Sequence, residues 1–181
     1  MHRIIAHRPS PAMVIACAAL LIALTGTSIA AEAVPNGTQG ATAPGPNGCP
    51  TNKSAKTAAI ADIAPPARLQ LVSIDVLSGS INAQTKSFTL KVRVGSTCSV
   101  NIKGASVYVT AVPYDQFSIP AEELTGSEGT ATLVFHRDSN FPASDRQQQL
   151  TLFIRATKPG EADGTLAGVS TRRLFGVSFK K

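Results

Sequence analysis

The stretch that most constrains the fold runs from Gly104 to Phe135, where two runs of alternating residues flank a proline-containing loop. Apolar residues occupy every second position of the first run, namely Ala105, Val107, Val109 and Ala111. They do so again in the second run, at Ala131, Leu133 and Phe135. A period of two places these side chains on one face of an extended chain, whereas a helix requires a period of about 3.6. Both runs therefore predict strands with one buried and one polar face, as in an antiparallel sheet packed on one side.

The same alternation recurs elsewhere in residues 65–181 and predicts further strands: Arg68 to Val76, Phe88 to Val94, Leu150 to Ala156 and Thr171 to Phe179. Turns rich in Gly and Pro separate the predicted strands. About six to eight short strands in about 115 residues predict an all-β fold, a single antiparallel β-sandwich. We expect a buried set and, between its members in the same strands, a more exposed set: Leu90, Val92, Val107, Val109, Leu133, Leu152 and Ile154 against Lys91, Arg93, Tyr108 and Arg155.

Residues 1–31 have the three parts of an export signal in the usual order. Two arginines precede an apolar run from Ala12 to Leu24, and small residues follow it. This order predicts a signal peptide that is cleaved between about Ala30 and Ala33. The alternative is a retained anchor, because about 20 residues can just span a bilayer. A lipoprotein signal at Cys17 is a third interpretation, but most of the apolar run follows this cysteine instead of preceding it.

Residues 32–64 are rich in Ala, Gly, Pro, Thr and Asn and contain no aromatic residue. Such a stretch buries too little apolar surface to fold alone, which predicts a linker. Within it, Ser54 to Ile63 could form a short helix with Ser54 as its N-cap, although about ten residues are marginal without packing. Pro65-Pro66 then opens the predicted sandwich, which occupies residues 65–181.

Two of the three cysteines, Cys49 and Cys98, remain after the predicted signal peptide. In an exported chain this pair favours a single disulfide, which would pin the linker to the end of the strand that begins at Phe88. The alternative is a redox or metal-binding pair. That alternative is weakened because the sequence has no Cys-x-x-Cys motif and no histidine near either cysteine.

The sequence offers no set of residues typical of a catalytic or metal site. His136 is the one histidine after the predicted signal peptide, and Asp138 and Ser139 lie close to it. These three cannot form a relay, because neighbouring side chains of an extended chain point in different directions. The carboxylates lack the dense spacing of a calcium loop, and the net charge of +6 is scattered, not gathered into a stripe that binds nucleic acid. We therefore expect no enzymatic activity, cofactor, metal or nucleic-acid partner.

The loop from Val112 to Leu124 is a candidate contact surface. It carries Tyr114, Phe117 and Ile119, which are unusually apolar for a solvent loop, and two prolines stiffen it. These side chains either form a binding tip or fold back to close one end of the sandwich. The second interpretation is favoured.

Three arginines form a second candidate surface: Arg155, Arg172 and Arg173. Guanidinium groups can bind an anionic wall polymer through charge-assisted hydrogen bonds. The favoured interpretation is that these arginines lie on the polar faces of their strands.

Three segments carry a resemblance to a known type of module: GASVYVTAVPYDQFSIPAEELTGSEGTATL, FPASDRQQQLTLFIRATKPGE and LAGVSTRRL. They resemble an Ig-like β-sandwich module of exported bacterial proteins, a family without an assigned activity. The run from Gly104 through Thr130 is also loosely similar to the invasin-type bacterial Ig-like repeat, with a Thr-x-x-x-Gly turn at Thr125 to Gly129. The Cys, Trp and Tyr marks of antibody domains are missing. The resemblance implies an Ig-like sandwich that is secreted or held on the extracellular face of the cell envelope.

The expected function is that of a non-catalytic exported or cell-surface module with a structural or interaction role. Its partner is unidentified, with a cell-surface protein or an anionic wall polymer as candidates. Membrane contact is expected only through an uncleaved N-terminal segment. The alternative is a secreted carbohydrate-binding or carbohydrate-processing accessory protein, which needs convergent carboxylates or an aromatic platform for sugar stacking. The sequence has no Trp and two Tyr, so it offers few such platforms.

Overall fold

A computed structural model describes residues 43–52, 55–161 and 168–180. The strands of this part are, in chain order, β1 (Thr57–Ala59), β2 (Leu69–Val76), β3 (Ile81–Asn82), β4 (Ser87–Ser96), β5 (Asn101–Lys103), β6 (Ser106–Val112), β7 (Glu123–Leu124), β8 (Thr130–His136), β9 (Gln149–Thr157) and β10 (Thr171–Lys180). The predicted signal peptide and the first part of the predicted linker lie outside the described residues.

The strands form two sheets of five strands each. In the first sheet β2 pairs with one edge of β4, while β8 and β5 pair with successive parts of the other edge. β1 extends this sheet by pairing in parallel with β5. The second sheet has the order β3-β10-β9-β6-β7 and is antiparallel except for the β3 and β10 pair. The described chain is therefore nearly all β, as the sequence predicts.

The buried side chains of both sheets belong to one hydrophobic core. The residues predicted to be buried are each at most 1% exposed: Leu90, Val92, Val107, Val109, Leu133, Leu152 and Ile154. Their predicted neighbours are more exposed: Lys91, Arg93, Tyr108 and Arg155. The prediction of buried and exposed positions is confirmed, and the two sheets pack face to face across the shared core.

The predicted strands correspond to β2, β4, β6, β8, β9 and β10, with ends that agree within two residues. Four further strands, β1, β3, β5 and β7, have only two or three residues each. A run of this length contains at most one full repeat of the alternating pattern. Periodicity therefore cannot identify it, and only its pairing with a longer strand does.

The helix predicted over Ser54 to Ile63 is wrong in the part that the structure describes. Here β1 pairs with β5, with Thr57 opposite Asn101, and is followed by one 3-10 turn, Ile60–Asp62. Ile63 is fully buried in the core. The strand pairing and this burial override a local helix preference that is weak over about ten residues. Part of the predicted linker thus contributes to the sandwich; Ser54, the expected N-cap, lies outside the described residues.

Candidate functional site

The predicted disulfide joins the segment before β1 to the end of β4. The sulfur atoms of Cys49 and Cys98 are 2.08 Å apart, and their Cα atoms are 5.8 Å apart. Beside it, Gly48 has a φ of +69°, and a Cβ at this position would lie 1.8 Å from the carbonyl oxygen of Ala64. The Ala64 N–H donates to the Gly48 carbonyl at 3.0 Å. Only glycine permits this approach. The segments before and after β1, at Gly48 and Ala64, are therefore held against each other.

Hydrogen bonds fasten the same segment to the rest of the sandwich. The Asn101 N–H donates to the carbonyl of Lys56 at 3.0 Å. The Lys158 Nζ donates to the carbonyl of Ile63 at 3.0 Å, which ties the end of β9 to the chain before β2. We call this region the disulfide end, and it comprises residues 43–52, 55–69 and 95–105, the turn at Thr125 and the chain around Lys158.

Thr125 closes the disulfide end from the side of β8. Its buried hydroxyl donates to the carbonyl of Ile102 at 2.6 Å and accepts from the N–H of Ala105 at 2.9 Å. Its backbone carbonyl accepts from Gly104 at 2.8 Å, and its N–H donates to the Ala105 carbonyl at 2.9 Å. One threonine thus satisfies four backbone groups of the crossing from β5 to β6.

The opposite end of the sandwich is closed by aromatic rings. Phe88 stacks on Phe135 with centroids 4.6 Å apart, and Phe117 meets Phe88 edge-on at 4.9 Å. Phe141 packs on Phe117 at 4.6 Å. All four rings are buried, and aromatic contacts of this kind contribute about 0.5 to 1.5 kcal/mol each beyond their burial. We call this region the phenylalanine end.

The candidate contact loop divides between the core and the surface. Phe117 is 2% exposed and belongs to the phenylalanine end, whereas Tyr114 is 65% and Ile119 is 54% exposed. Within this loop Phe117 folds back, and the other two side chains face solvent. The contact role of Tyr114 and Ile119 stays a prediction, and Phe117 can support it only by holding the loop.

Two glutamines that sequence reasoning missed position this loop. Gln116 is fully buried, and its Nε2 donates to the carbonyl of Pro113 at 3.0 Å. Gln147, from the loop before β9, donates through Nε2 to Gln116 Oε1 at 2.6 Å and accepts from the Ala143 N–H at 2.6 Å. These bonds cross-link the loops that follow β6 and β8. Gln147 lies in a run of three glutamines that reads as solvent-exposed, so no local pattern indicates its role.

The structure places two of the three candidate arginines side by side. Arg155 and Arg172 face each other in register on β9 and β10, whereas Arg173 is opposite Ile154 and so has the other parity. The Arg155 guanidinium lies 5.1 Å from the ring centroid of Tyr108 and contacts Glu122 Oε1 at 3.1 Å. Arg172 and Arg173 are both exposed.

Glu122 is the residue of this face that sequence reasoning did not select. Besides its contact with Arg155, its Oε2 accepts a hydrogen bond from the Ser106 hydroxyl. Ser106 is buried, although its parity on β6 predicts a polar, outward position. Its hydroxyl is held by Glu122, just before β7, and Leu124 of β7 is opposite it in register. The cluster of Glu122, Arg155 and Tyr108 is an ordered polar surface in which one carboxylate compensates one guanidinium.

His136 is exposed at the end of β8, and its backbone serves the contact loop. Its N–H donates to the Ser118 Oγ at 3.1 Å, and its carbonyl accepts from the Ser118 N–H at 2.8 Å. The Asp138 N–H donates to the carbonyl of Gln116 at 3.0 Å. Across residues 43–52, 55–161 and 168–180, no group of three or more His, Cys, Asp or Glu side chains is placed to hold a metal ion.

No protein-family model and no curated protein matches this chain. Among the described residues, no helix has both the length and the apolar character needed to cross a membrane.

Proposed function

We propose that this protein is a non-catalytic module with an Ig-like β-sandwich, exported and held on or near the cell surface, where it has a structural or interaction role. The observation that carries the proposal is the bridge between Cys49 and Cys98. A disulfide persists in oxidising compartments, and it here fastens the segment that follows the predicted export signal to the sandwich.

The strand order supports the Ig-like part of the proposal. In Ig domains the first, second and fifth strands share one sheet, and the third, sixth and seventh share the other. Here β2, β4 and β8 pair in the first sheet, while β6, β9 and β10 pair in the second. Between β2 and β4 the chain crosses to β3, which pairs with β10. The described chain thus changes sheet at five of its connections, as in a Greek-key sandwich.

The exposed side chains support an interaction role. Tyr114 and Ile119 project from a loop whose base is fixed by Phe117 and by the bond between Gln116 and Gln147. Binding surfaces favour such apolar or aromatic groups on a rigid support, because little conformational entropy is lost on contact. Tyrosine and arginine are also the residue types that protein interfaces favour.

The test begins with the location of the full chain in a bacterial host. The proposal expects the protein outside the cytoplasmic membrane, with a new N-terminus between about Ala30 and Ala33 in sequencing, or with residues 1–31 retained as an anchor. Mass spectrometry of a non-reduced digest should contain one linked peptide pair that includes Cys49 and Cys98. Recovery of the folded protein from the cytoplasm with both thiols free would contradict the export part.

The non-catalytic part has a separate test. Purified protein is assayed against esters, peptides and cell-wall glycans, with His136→Ala as the variant and Asp145→Ala, in an exposed loop, as the matched control. The proposal expects no turnover above background for all three proteins. A hydrolase activity that His136→Ala abolishes and Asp145→Ala preserves would overturn it.

A further inference from the structure

One side of the sandwich, between β2 and β10, carries two strand edges that do not pair with each other. β2 pairs with β4, and β10 pairs with β9 from Thr171 to Ser178. β3 covers only the last part of β10, at Phe179 and Lys180. Just before the start of β10, the Val169 carbonyl accepts a hydrogen bond from the N–H of Leu69, the first residue of β2, at 2.7 Å. Between these two closures, no strand of the described residues pairs with the second edge of residues 172–178 of β10, which we call the open edge.

The backbone of the open edge is ready to accept another strand. In an antiparallel pair, alternate N–H and C=O groups of β10 point toward β9 and the remainder point away. Unpaired groups in such a row are a template for pairing with an added strand. β3 already uses the neighbouring part of the same edge, with Ile81 beside Phe179 and Asn82 beside Lys180. An added strand would continue an interaction that the fold already makes.

Apolar side chains lie along this side of the sandwich and are incompletely covered. Leu71, Ile74 and Val76 of β2 and Phe175 of β10 pack against the core but are only partly buried. A strand laid on the open edge presents every second side chain to this surface. Apolar residues at these alternate positions would remove the remaining area from water, and this burial favours binding.

The charge on this side selects the partner. Arg172 and Arg173 are exposed at the start of the open edge, and neither has a carboxylate partner within the described residues. Asp75, the acidic residue of β2, is in register with Lys91 of β4. A second copy of the chain would bring the same two arginines and the same positive net charge of +6. The charge therefore favours an acidic partner over self-association.

We propose that the open edge of β10 binds an extended acidic segment of a partner protein, in which apolar residues alternate with carboxylates. The inference rests on the proposed function, because it gives an interaction module a defined surface. The carboxylates meet Arg172, the apolar side chains cover Phe175 and the β2 residues on the face that Arg173 shares, and the backbone groups pair with β10. This is strand addition to a sheet edge.

The first experiment uses the full chain with its disulfide formed and a synthetic peptide of about nine residues, in which valine alternates with glutamate. Hydrogen exchange of the backbone amides of residues 172–178 is followed by NMR. Added peptide should slow the outward-facing amides by at least about tenfold, because they become hydrogen-bonded. A peptide N-methylated at alternate residues keeps the charges but cannot pair, so it should give no protection. Equal protection by both peptides, or none by either, would overturn the proposal.

The second experiment tests the charge. The double variant Arg172→Glu/Arg173→Glu should weaken binding of the glutamate peptide by about tenfold at low salt and improve binding of a matched lysine peptide. The control Lys103→Glu/Arg146→Glu makes the same change in net charge at exposed positions on β5 and in the loop before β9. It should leave the affinity within about twofold. A loss of equal size in both variants would assign the effect to net charge and refute the site.

The two proposals fail in different ways. If the protein is exported and catalytically inactive but its open edge does not bind the peptide, this inference is refuted and the proposed function stands. A cytoplasmic or catalytically active protein refutes the proposed function, whatever the peptide does. Protection of residues 172–178 that rises with protein concentration in the absence of peptide would identify a second copy as the occupant and overturn the acidic-segment proposal.

Discussion

The two ends of this sandwich are closed by different chemistry. At the phenylalanine end, four aromatic rings from β4, β8 and two loops form a chain of three contacts with centroids 4.6 to 4.9 Å apart. At the disulfide end, the closure consists of one covalent bond, the glycine approach at Gly48 and hydrogen bonds such as those of Thr125. The phenylalanine end is held by the burial of apolar surface. The disulfide end is held by a covalent bond and by hydrogen bonds between backbone segments that approach closely.

The difference follows from the composition of the chain that reaches each end. The segment at the disulfide end comes from residues that are rich in Ala, Gly and Pro and have little apolar area to bury. Besides the burial of a few side chains such as Ile63, it is fixed by a cross-link and by hydrogen bonds. The loop at the other end brings its own phenylalanine, so it needs no cross-link. A segment of small residues and an aromatic loop are thus fixed to the sandwich by different interactions.

The largest expected effect lies in the aromatic closure. Phe117→Ala removes a buried ring that contacts both Phe88 and Phe141, and we expect the free energy of unfolding to fall by about 3 to 5 kcal/mol. Urea denaturation measures this change. The control is Tyr114→Ala in the same loop, where an exposed ring should cost less than about 0.5 kcal/mol. Similar losses for the two variants would contradict the assignment of Phe117 to the core and of Tyr114 to the surface.

The next effect concerns the covalent closure. The double variant Cys49→Ala/Cys98→Ala should lose about 2 to 4 kcal/mol of unfolding free energy, because the unfolded chain regains the entropy of a loop of 49 residues. Reduction of the unaltered protein is the matched control and should give a similar loss. Hydrogen exchange should accelerate first in β1 and β5, while the phenylalanine end keeps its protection. Uniform acceleration at both ends would show that the two closures are not independent.

A third, smaller effect isolates the hydrogen-bonded part of the disulfide end. Thr125→Val keeps the shape of the side chain but leaves the Ala105 N–H and the Ile102 carbonyl without their partner, at a cost of about 1 to 3 kcal/mol. The control is Thr132→Val on the exposed face of β8, which should change stability by no more than about 0.5 kcal/mol. Thermal and urea denaturation measure both variants. An unchanged Thr125→Val protein would mean that water replaces these bonds at no cost.

The smallest effect on stability is expected at the exposed part of the contact loop. Tyr114→Ser/Ile119→Ser should change the unfolding free energy by less than about 0.5 kcal/mol per substitution, since both side chains face solvent. Binding to cell-surface material from the native host, measured by pull-down, should nevertheless be lost. Leu124→Ser, an exposed apolar residue outside this part of the loop, should preserve binding. Retained binding in the double variant would exclude Tyr114 and Ile119 as contacts.

Sequence reasoning found the long strands because their alternation lasts for several repeats, as in β4 with Leu90 and Val92. It found the disulfide because two cysteines in a chain that is predicted to be exported leave few alternatives. It did not find β1, which exists only through its pairing with β5. In the loop, the sequence favours inward side chains for Tyr114, Phe117 and Ile119 alike, but only Phe117 is buried. The bond between Gln116 and Gln147, which joins this loop to the one before β9, links residues 31 positions apart that give no local pattern.

The bridge between Cys49 and Cys98 also determines how the sandwich transmits a mechanical load. Tension applied to the chain before Cys49 passes through the two sulfur atoms into the end of β4, which is held on both edges by β2, β5 and β8. The 48 residues between the cysteines are excluded from this force path. Even if the sheets separated under load, about 160 Å of extended chain would stay locked within the loop. A module tethered by its N-terminal segment would therefore extend less before it refolds.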